Sequence, residues 1–283
     1  MKKKVLITGS TGFLGKNILN FLIKKNFKIY DILRLNKKKN KKKKNNYIPI
    51  FFNNLENLSI LLKKINPNIV IHCATHYTLN NDAESINKII NANISFGTVL
   101  LEAFKKKKII FINFGSMMEH SVKNFDIPEN FYALTKNIFN RIQNYYSINN
   151  PKIKFYNLKL FDTYGLNDNR KKLIPTIIQN YKNRKTTYIK PGNLRLNLIN
   201  CNNINNIIEK IIKKKLRFGT YTIKNKNLTD IKELIKKVNR KLKKKIKVKF
   251  IGYKKMQQKK ILFPYINIAE KQIDIQNFLI KNL

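Results

Sequence analysis

Residues 4–15 read K-V-L-I-T-G-S-T-G-F-L-G, and the fold of the whole chain follows from how this stretch is read. Val5, Leu6 and Ile7 make a short apolar run of the kind found in a fully buried parallel strand. Gly9, Gly12 and Gly15 come next, and an apolar set at Phe13, Leu14, Ile18, Leu19, Leu22 and Ile23 then recurs with a helical period. Strand, glycine turn and helix are the context that a dinucleotide-binding fingerprint requires. Gly9 permits the tight turn, Gly12 lets the backbone approach a pyrophosphate, and Gly15 lets helix and strand pack closely. The helix N-terminus offers free N–H groups and a positive dipole end to the phosphates. The plain alternative is an ordinary turn between a strand and a helix. Against it, the chain has nine glycines in 283 residues, and three of them stand at this spacing. Residues Gly9, Ser10, Thr11, Gly12, Phe13, Leu14 and Gly15 are therefore expected to hold the cofactor.

Outward from this loop the pattern alternates. Strands are expected over 28–33, 48–52, 68–71, 109–114 and 153–160, with helices over 55–65, 84–104 and 131–147 between them. That rhythm predicts an α/β fold with a parallel sheet wound on both faces. Lys37 to Asn46 is a low-complexity Lys/Asn run with nothing apolar to bury, and is expected to be a solvated, mobile loop. Beyond Asp162 the elements shorten: a helix near 173–181, strands near 186–189 and 196–199, and helices near 204–213 and 229–242. The expected division is a nucleotide-binding domain over 1–161 and a smaller mixed α/β substrate lobe, mainly 162–283, set over the carboxyl edge of the sheet. The chain is free to cross back to the sheet.

Composition narrows the function classes. Lys and Arg number 59 against 15 Asp and Glu, a formal charge of +44. Such a balance suggests nucleic acid. The lysines, however, are spread along the chain together with Asn and Ile, all residues with AT-rich codons, and no nucleic-acid module is present, so no specific nucleic acid is expected. The charge still favours anionic ligands. No apolar run reaches the length of a membrane span. The K-K-K-V-L-I start stops at Thr8 and Gly9, too soon for a signal peptide. Cys73 and Cys201 have neither metal-type spacing nor a disulfide framework, which fits a reducing cytoplasm, and no metal is expected.

Three residues carry a chemical logic. Ser116 ends the strand F-I-N-F-G-S, and Tyr132 and Lys136 stand one helical turn apart in Y-A-L-T-K. An ammonium beside a phenol favours phenolate and would lower the tyrosine pKa toward neutrality, making Tyr132 a general acid or base. Ser116 would hydrogen-bond the same substrate oxygen. Tyr181 and Lys185 repeat the spacing without an upstream strand-end serine and read as surface. His72 and His76 are four apart, as helical zinc ligands can be, but they span a strand end and a loop, with no glutamate in place. His72 is expected to be packed beneath the cofactor.

With these motifs in place the chain resembles the extended short-chain dehydrogenase/reductases, in the nucleotide-sugar epimerase/dehydratase branch. The resemblance rests on T-G-S-T-G-F-L-G from Thr8, P-N-I-V-I-H-C-A from Pro67 and N-I-S-F-G-T-V-L-L-E-A from Asn93. It extends through the Ser116, Tyr132, Lys136 set, F-D-T-Y-G from Phe161 and L-I-P from Leu173, with a fainter echo from Arg195 to Ile204. It implies a Rossmann domain and hydride chemistry at a sugar carbon, usually C4. Tyr132 would then be the proton donor or acceptor, Lys136 its partner and ribose ligand, and Ser116 the orienting hydroxyl. By position, Asn54 and Leu55 (where the family often has an adenine-contacting Asp), Cys73, Ala74, Thr75 and Asn93 join the cofactor set, and His76, Met117, Thr163 and Arg195 the substrate set. Lys159 stands where an Arg is common, and Asn203 where an Asp is usual. The family's 4,6-dehydratases carry an Asp-Glu pair after the strand-end hydroxyl, where this chain has Met117 and Met118, so dehydration is not expected.

What remains is reduction of a 4-keto sugar, or a 4-epimerase that removes and returns hydride with tightly held NAD. A third reading, from another class, is a non-catalytic nucleotide- or RNA-binding protein on the same scaffold. Arg34 ends the second strand, where an Arg can accept a 2′-phosphate, so NADP is expected over NAD. That choice, the short Ser116-to-Tyr132 interval and the string F-D-T-Y-G-x-N-D-x-R through Arg170 favour reduction and resemble the reductases that make CDP-linked dideoxy sugars. A nucleoside-diphosphate sugar substrate, a homodimer and no membrane association complete the expectation.

Overall fold

The computed structural model describes residues 2–35, 46–80, 82–121, 127–255, 263–267 and 274–283. The Lys/Asn run expected as a loop at 37–46 lies almost wholly outside them. The first half alternates as its periodicities predict: β1 (Lys4–Thr8), α1 (Phe13–Lys24), β2 (Lys28–Arg34), β3 (Tyr47–Phe52), α2 (Leu55–Lys63), β4 (Ile69–His72), α3 (Ala83–Ile90), α4 (Phe96–Phe104), β5 (Ile109–Ser116), α5 (Phe131–Asn149) and β6 (Ile153–Leu160). The later elements are β7 (Asp162–Tyr164), α6 (Leu173–Lys182), β8 (Thr187–Ile189), β9 (Arg195–Leu196), β10 (Leu198–Asn200), α7 (Cys201–Ile212), β11 (Gly219–Lys224), β12 (Thr229–Asp230), α8 (Ile231–Lys241), β13 (Val248–Phe250), β14 (Tyr265–Asn267) and α9 (Ile275–Asn282).

The main sheet is parallel throughout and runs β3-β2-β1-β4-β5-β6-β11-β14. Its order reverses between β1 and β4, the switch point where open α/β sheets bind ligands beyond the strand carboxyl ends. β3 forms one edge and there tolerates Pro49, which has no N–H to donate to a ladder. Each face is covered by a separate apolar layer. Ile18, Leu19 and Leu22 of α1 pack with Ile204, Ile207, Ile208 and Ile211 of α7 on one face. Leu58 and Leu62 of α2, Leu100, Leu101 and Phe104 of α4, and Phe139 of α5 cover the other. A third cluster joins Tyr164, Ile174, Ile177, Leu234, Ile235 and Phe278 in a smaller lobe built by α6, α8 and α9 with short strand pairs.

β7, β11, β12, β13, β14 and α9 were not among the expected elements, and two expected ones are changed. The single helix expected over 84–104 contains a π-helical turn at 91–95 between α3 and α4. This extra residue turns Asn93 inward, and its buried amide bonds outside the helix. The strand expected near 196–199 is split into β9 and β10, which pair with β12 and β7 respectively.

Gly97 sets the approach of α4 to α5. A methyl there would run into the Phe139 ring and lie 3.1 Å from His72 Nε2. Gly97→Ala is expected to destabilise the protein by about 1–3 kcal/mol through overpacking, read as a lower urea midpoint with an unchanged m-value.

Candidate active site

The glycine loop is held from both sides. Gly9 has a φ of +68°, and a side chain there would stand 2.5 Å from the Ala74 backbone nitrogen at the end of β4. The Gly12 N–H donates to the Gly9 carbonyl at 3.0 Å. Ser10 Oγ donates to Oδ2 of buried Asp31 at 2.7 Å, and the Tyr47 hydroxyl reaches the same oxygen at 2.7 Å. Gly12 caps α1 with no side chain folded over the first turn, so the leading amides of that helix face the cleft. Such a loop fits a diphosphate: close backbone, open amides and no side chain in the way.

The cleft that opens from this loop has a volume of about 1830 Å³. The glycine-loop residues 9–15, Arg34, and Cys73, Ala74, Thr75 and His76 line it, as do Ser116, Met117, Tyr132, Lys136, Thr163 and Arg195. The structure thus brings most of the sequence-derived site to one cavity. Asn54 and Leu55 are not on its wall. Asn54 instead caps α2 by accepting from the Asn57 N–H at 2.8 Å, and Leu55 packs into the core, so Ile32, Leu33, Arg34 and Phe52 form that end.

Asn93 also lies behind the wall. Its Oδ1 accepts from Thr75 Oγ1 at 2.9 Å and from the His76 N–H at 2.7 Å, and its Nδ2 donates to the His76 carbonyl and to Thr135 Oγ1. The π turn therefore aims one amide that ties the loop after β4 to α5. The Thr75 held in this way faces the Tyr132 phenol and lowers its pKa against the rise from burial.

Ser116 caps a single turn at the end of β5. Its Oγ accepts from the Met118 N–H at 3.1 Å, which leaves the hydroxyl proton to point elsewhere. Its own N–H donates to Glu119 Oε1 at 2.6 Å, closing a capping box. Asn130 caps α5, accepting from the Ala133 N–H at 2.9 Å, and so presents Tyr132 in the first turn and Lys136 one turn later. The Tyr77 ring meets Tyr132 edge-on at 4.9 Å.

Burial, not mutual attraction, governs this pair. Desolvation pushes the Tyr132 phenol up to about 12, the Glu119 carboxylate adding to the rise. Desolvation brings the Lys136 ammonium down to about 8; Glu119 opposes that drop and Lys159 deepens it. The expected near-neutral tyrosine is thus corrected: Tyr132 keeps its proton at neutral pH, a state that suits a proton donor.

Around these residues, His72 is bonded from Nδ1 to Thr8 Oγ1 at 2.9 Å and packed among Phe96, Phe111 and Phe139, its pKa lowered to about 3 by burial. It is a neutral core histidine at the cleft floor. Arg195 shares its guanidinium with Asp230 at 3.2 Å. Thr163 accepts from Arg170 through its carbonyl at 2.7 Å and its hydroxyl at 3.1 Å.

Sequence reading missed three groups. Arg170, also held by Asp168 at 2.8 Å, lies 4.1 Å from the Phe13 ring and so bridges the lobe to the glycine loop; only the string ending in Arg170 hinted at it. Tyr77 had no local signal. Neither had the ion pair of Glu119 with Lys159 at 2.5 Å, both fully buried.

Among the described residues no three His, Cys, Asp or Glu side chains gather as a metal site, and no helix is long and apolar enough to cross a membrane.

Comparison with known proteins identifies the family and the fold. The profile of the NAD dependent epimerase/dehydratase family matches residues 5–223. A CDP-abequose synthase of Yersinia pseudotuberculosis is 31% identical over 219 residues, covering 74% of this chain and 72% of that protein. The UDP-N-acetylglucosamine 4-epimerase of Methanobrevibacter ruminantium superposes with a TM-score of 0.79 at 20% identity, over 100% of this chain and 97% of that one. The Bordetella bronchiseptica enzyme WbmH, solved with NAD+, superposes at 0.72 with 18% identity, over 89% and 86%.

These comparisons correct the cofactor. NADP was expected from Arg34, but WbmH holds NAD+, and NAD is likewise the nicotinamide in the similar UDP-glucose and UDP-glucuronic acid 4-epimerase structures. The physical reason is local. Arg34 is an exposed residue at the strand end, one of 59 basic residues, and a single solvated guanidinium is no built phosphate site. From residue 5 to residue 223, with its glycine cradle and its Ser116, Tyr132 and Lys136 in one cleft, the chain belongs to the NAD dependent epimerase/dehydratase family and is an enzyme of the extended short-chain dehydrogenase/reductase type.

Proposed function

We propose that this enzyme is an NAD-dependent oxidoreductase of a nucleoside-diphosphate sugar, and that it reduces a keto group at C4 of a CDP-linked sugar. The observation that carries the reading is the single cleft joining the Gly9–Gly15 cradle to Ser116, Tyr132 and Lys136. Bound NADH supplies the hydride that goes to the sugar carbon. Tyr132 gives its phenolic proton to the oxygen of that carbon, so the carbonyl ends as an alcohol and the phenol as a phenolate. Ser116 donates a hydrogen bond to the same oxygen, and the Lys136 ammonium holds the nicotinamide ribose and stabilises the phenolate. Met117 and Met118 line the wall beside Ser116 and cannot move protons, which leaves hydride transfer without elimination. The CDP-abequose synthase likeness supports the cytidine nucleotide. Lysine and arginine side chains from the later part of the chain, among them Arg170, Lys171, Lys172, Arg195 and Lys226, line the cleft and supply positive charge for a diphosphate.

The second reading, a 4-epimerase keeping its NAD, is supported by the fold likeness to 4-epimerases. A homodimer in the cytoplasm is part of the same proposal; the free thiols of Cys73 and Cys201 suit a reducing compartment.

The test is nicotinamide absorbance with purified enzyme, NADH and a panel of nucleoside-diphosphate 4-keto sugars. Stoichiometric loss of NADH with a CDP-linked 4-keto sugar is expected, with an alkaline limb in the rate near pH 8, where Lys136 loses its charge. No net loss with any keto sugar, together with C4 inversion of an ordinary nucleotide hexose, would replace the reductase by the epimerase.

A further inference from the structure

The buried ion pair beneath the site has no part in the chemistry above. Glu119 lies in the turn after β5, and Lys159 lies on β6 beside the Ser116 end of that strand. Both side chains are fully buried, with Glu119 Oε2 2.5 Å from Lys159 Nζ. The other carboxylate oxygen accepts from the Ser116 N–H at 2.6 Å. The pocket for this carboxylate is tight: a methyl on Gly115 would stand 2.6 Å from Glu119 Oε1, 3.1 Å from Asn157 Oδ1 and 3.2 Å from Lys159 Cγ. Removing two charges from water is costly, and an apolar pair of similar volume serves stability as well or better. A buried pair with one oxygen committed to Ser116 points to a task other than stability.

We propose that Glu119 and Lys159 are positioning residues of the reaction centre: the buried pair fixes the Ser116 turn and keeps two opposed charges out of water behind the reacting set. This rests on the assignment of Ser116, Tyr132 and Lys136 as the reacting set. The charges acting on Lys136 come from two elements: Glu119, in the turn after β5, favours its ammonium, and Lys159 on β6 disfavours it. Cys73 and His72, which also face it, are held as a neutral thiol and a neutral imidazole by burial. Glu119 raises the Tyr132 pKa in the same way, as does Tyr77, while Thr75 and Arg170 lower it. In water-poor surroundings such charges act strongly on one another. The Glu119 carboxylate thus keeps the proton on both members of the pair, and Lys159 trims that effect on the lysine.

The sign separates this role from scaffolding. Glu119→Gln keeps an acceptor for the Ser116 N–H and deletes the charge, leaving Lys136 facing Lys159 alone. The double variant, Glu119→Gln with Lys159→Gln, breaks the same ion pair but removes both charges. The measurement is the pH titration of 13C-labelled lysine in the whole protein, with the Lys136 signal assigned as the one that titrates early and is absent from Lys136→Arg. In Glu119→Gln the Lys136 midpoint is expected about one pH unit below that of the unmodified enzyme, and in the double variant it returns most of the way. In turnover, Glu119→Gln loses about fivefold in kcat at pH 8 and much less at pH 6.5, with KM for NADH little changed. A midpoint that stays put in Glu119→Gln, or a double variant shifted as far as the single one, overturns the proposal and leaves a packing role. The titration needs no substrate, so it stands even if no keto sugar is reduced; failure of turnover in the unmodified enzyme counts against the reductase reading alone.

Discussion

Tyr132→Phe is expected to lower kcat by about 10²–10⁴-fold, the range a positioned proton donor contributes. The structure explains why the loss should fall on chemistry alone. Thr75, which faces the phenol hydroxyl, keeps its bond to Asn93 when that hydroxyl is gone. The ring stays, so the edge contact with Tyr77 at 4.9 Å stays with it. One hydrogen bond lost at a partly exposed position costs about 1 kcal/mol in stability. Circular dichroism and NAD affinity should therefore match the parent within error while turnover collapses. Turnover within threefold of the parent would remove Tyr132 from the mechanism and leave Ser116 or a water to supply the proton.

Gly15→Ala is expected to cost both stability and cofactor, with the Kd for NAD raised about 100-fold or more and stability lowered by about 2–4 kcal/mol. The added methyl would run into the Gly9 carbonyl and stand 2.7 Å from Gly9 C and 3.0 Å from Ser10 Cα. These are backbone atoms, which have no rotamer to turn away. Gly9 cannot retreat either, because it sits against Ala74 and Ser10 is bonded to Asp31. The clash therefore deforms the amide cradle itself. Gly12→Ala separates the two effects. Its φ is −78° and its methyl would meet the Gly9 carbonyl at an ordinary 3.4 Å, so the fold should hold. Gly12 lines the cleft at the turn expected to approach the pyrophosphate, so an added methyl should still weaken NAD binding. Equal NAD affinity in Gly12→Ala and the parent, by fluorescence titration, would dismiss the proposed placement of the diphosphate.

The parts of this protein that could be read in advance are those specified by neighbours in sequence. The glycine spacing, the apolar run at Val5–Ile7 and the alternation through Leu160 are local patterns, and the first six strands lie close to where those patterns put them. Ser116, Tyr132 and Lys136 were expected from a strand end and two successive turns of one helix, and the structure sets all three on one cleft. β11 could not: G-T-Y-T-I-K carries strand-forming residues, but its place between β6 and β14 depends on a pairing with residues some 60 positions away. The π turn was hidden because its residues look helical, and only Asn93's partners in space show why the extra residue is there. Glu119 and Lys159 escaped because 40 residues separate them, and nothing in the spacing of either hints at the other. Arg34 misled for a compositional reason. In a chain this basic, a cation at any one position carries little information about a phosphate.

The return of the chain after the lobe has a consequence for how the molecule comes into being. β11 adds to the main sheet beside β6, and α7 joins α1 in the layer over one face, yet both are made after α6 and the first lobe strands. On the ribosome the early strands therefore emerge with one helical layer half bare, and they stay so until residue 224 has cleared the exit tunnel. The nascent nucleotide-binding half needs sequence from beyond the lobe to cover its apolar face. For the same reason the substrate lobe cannot be exchanged between relatives as a cassette spliced after Phe161: α7 and β11 would have to be carried over with residues matched to α1 and β6.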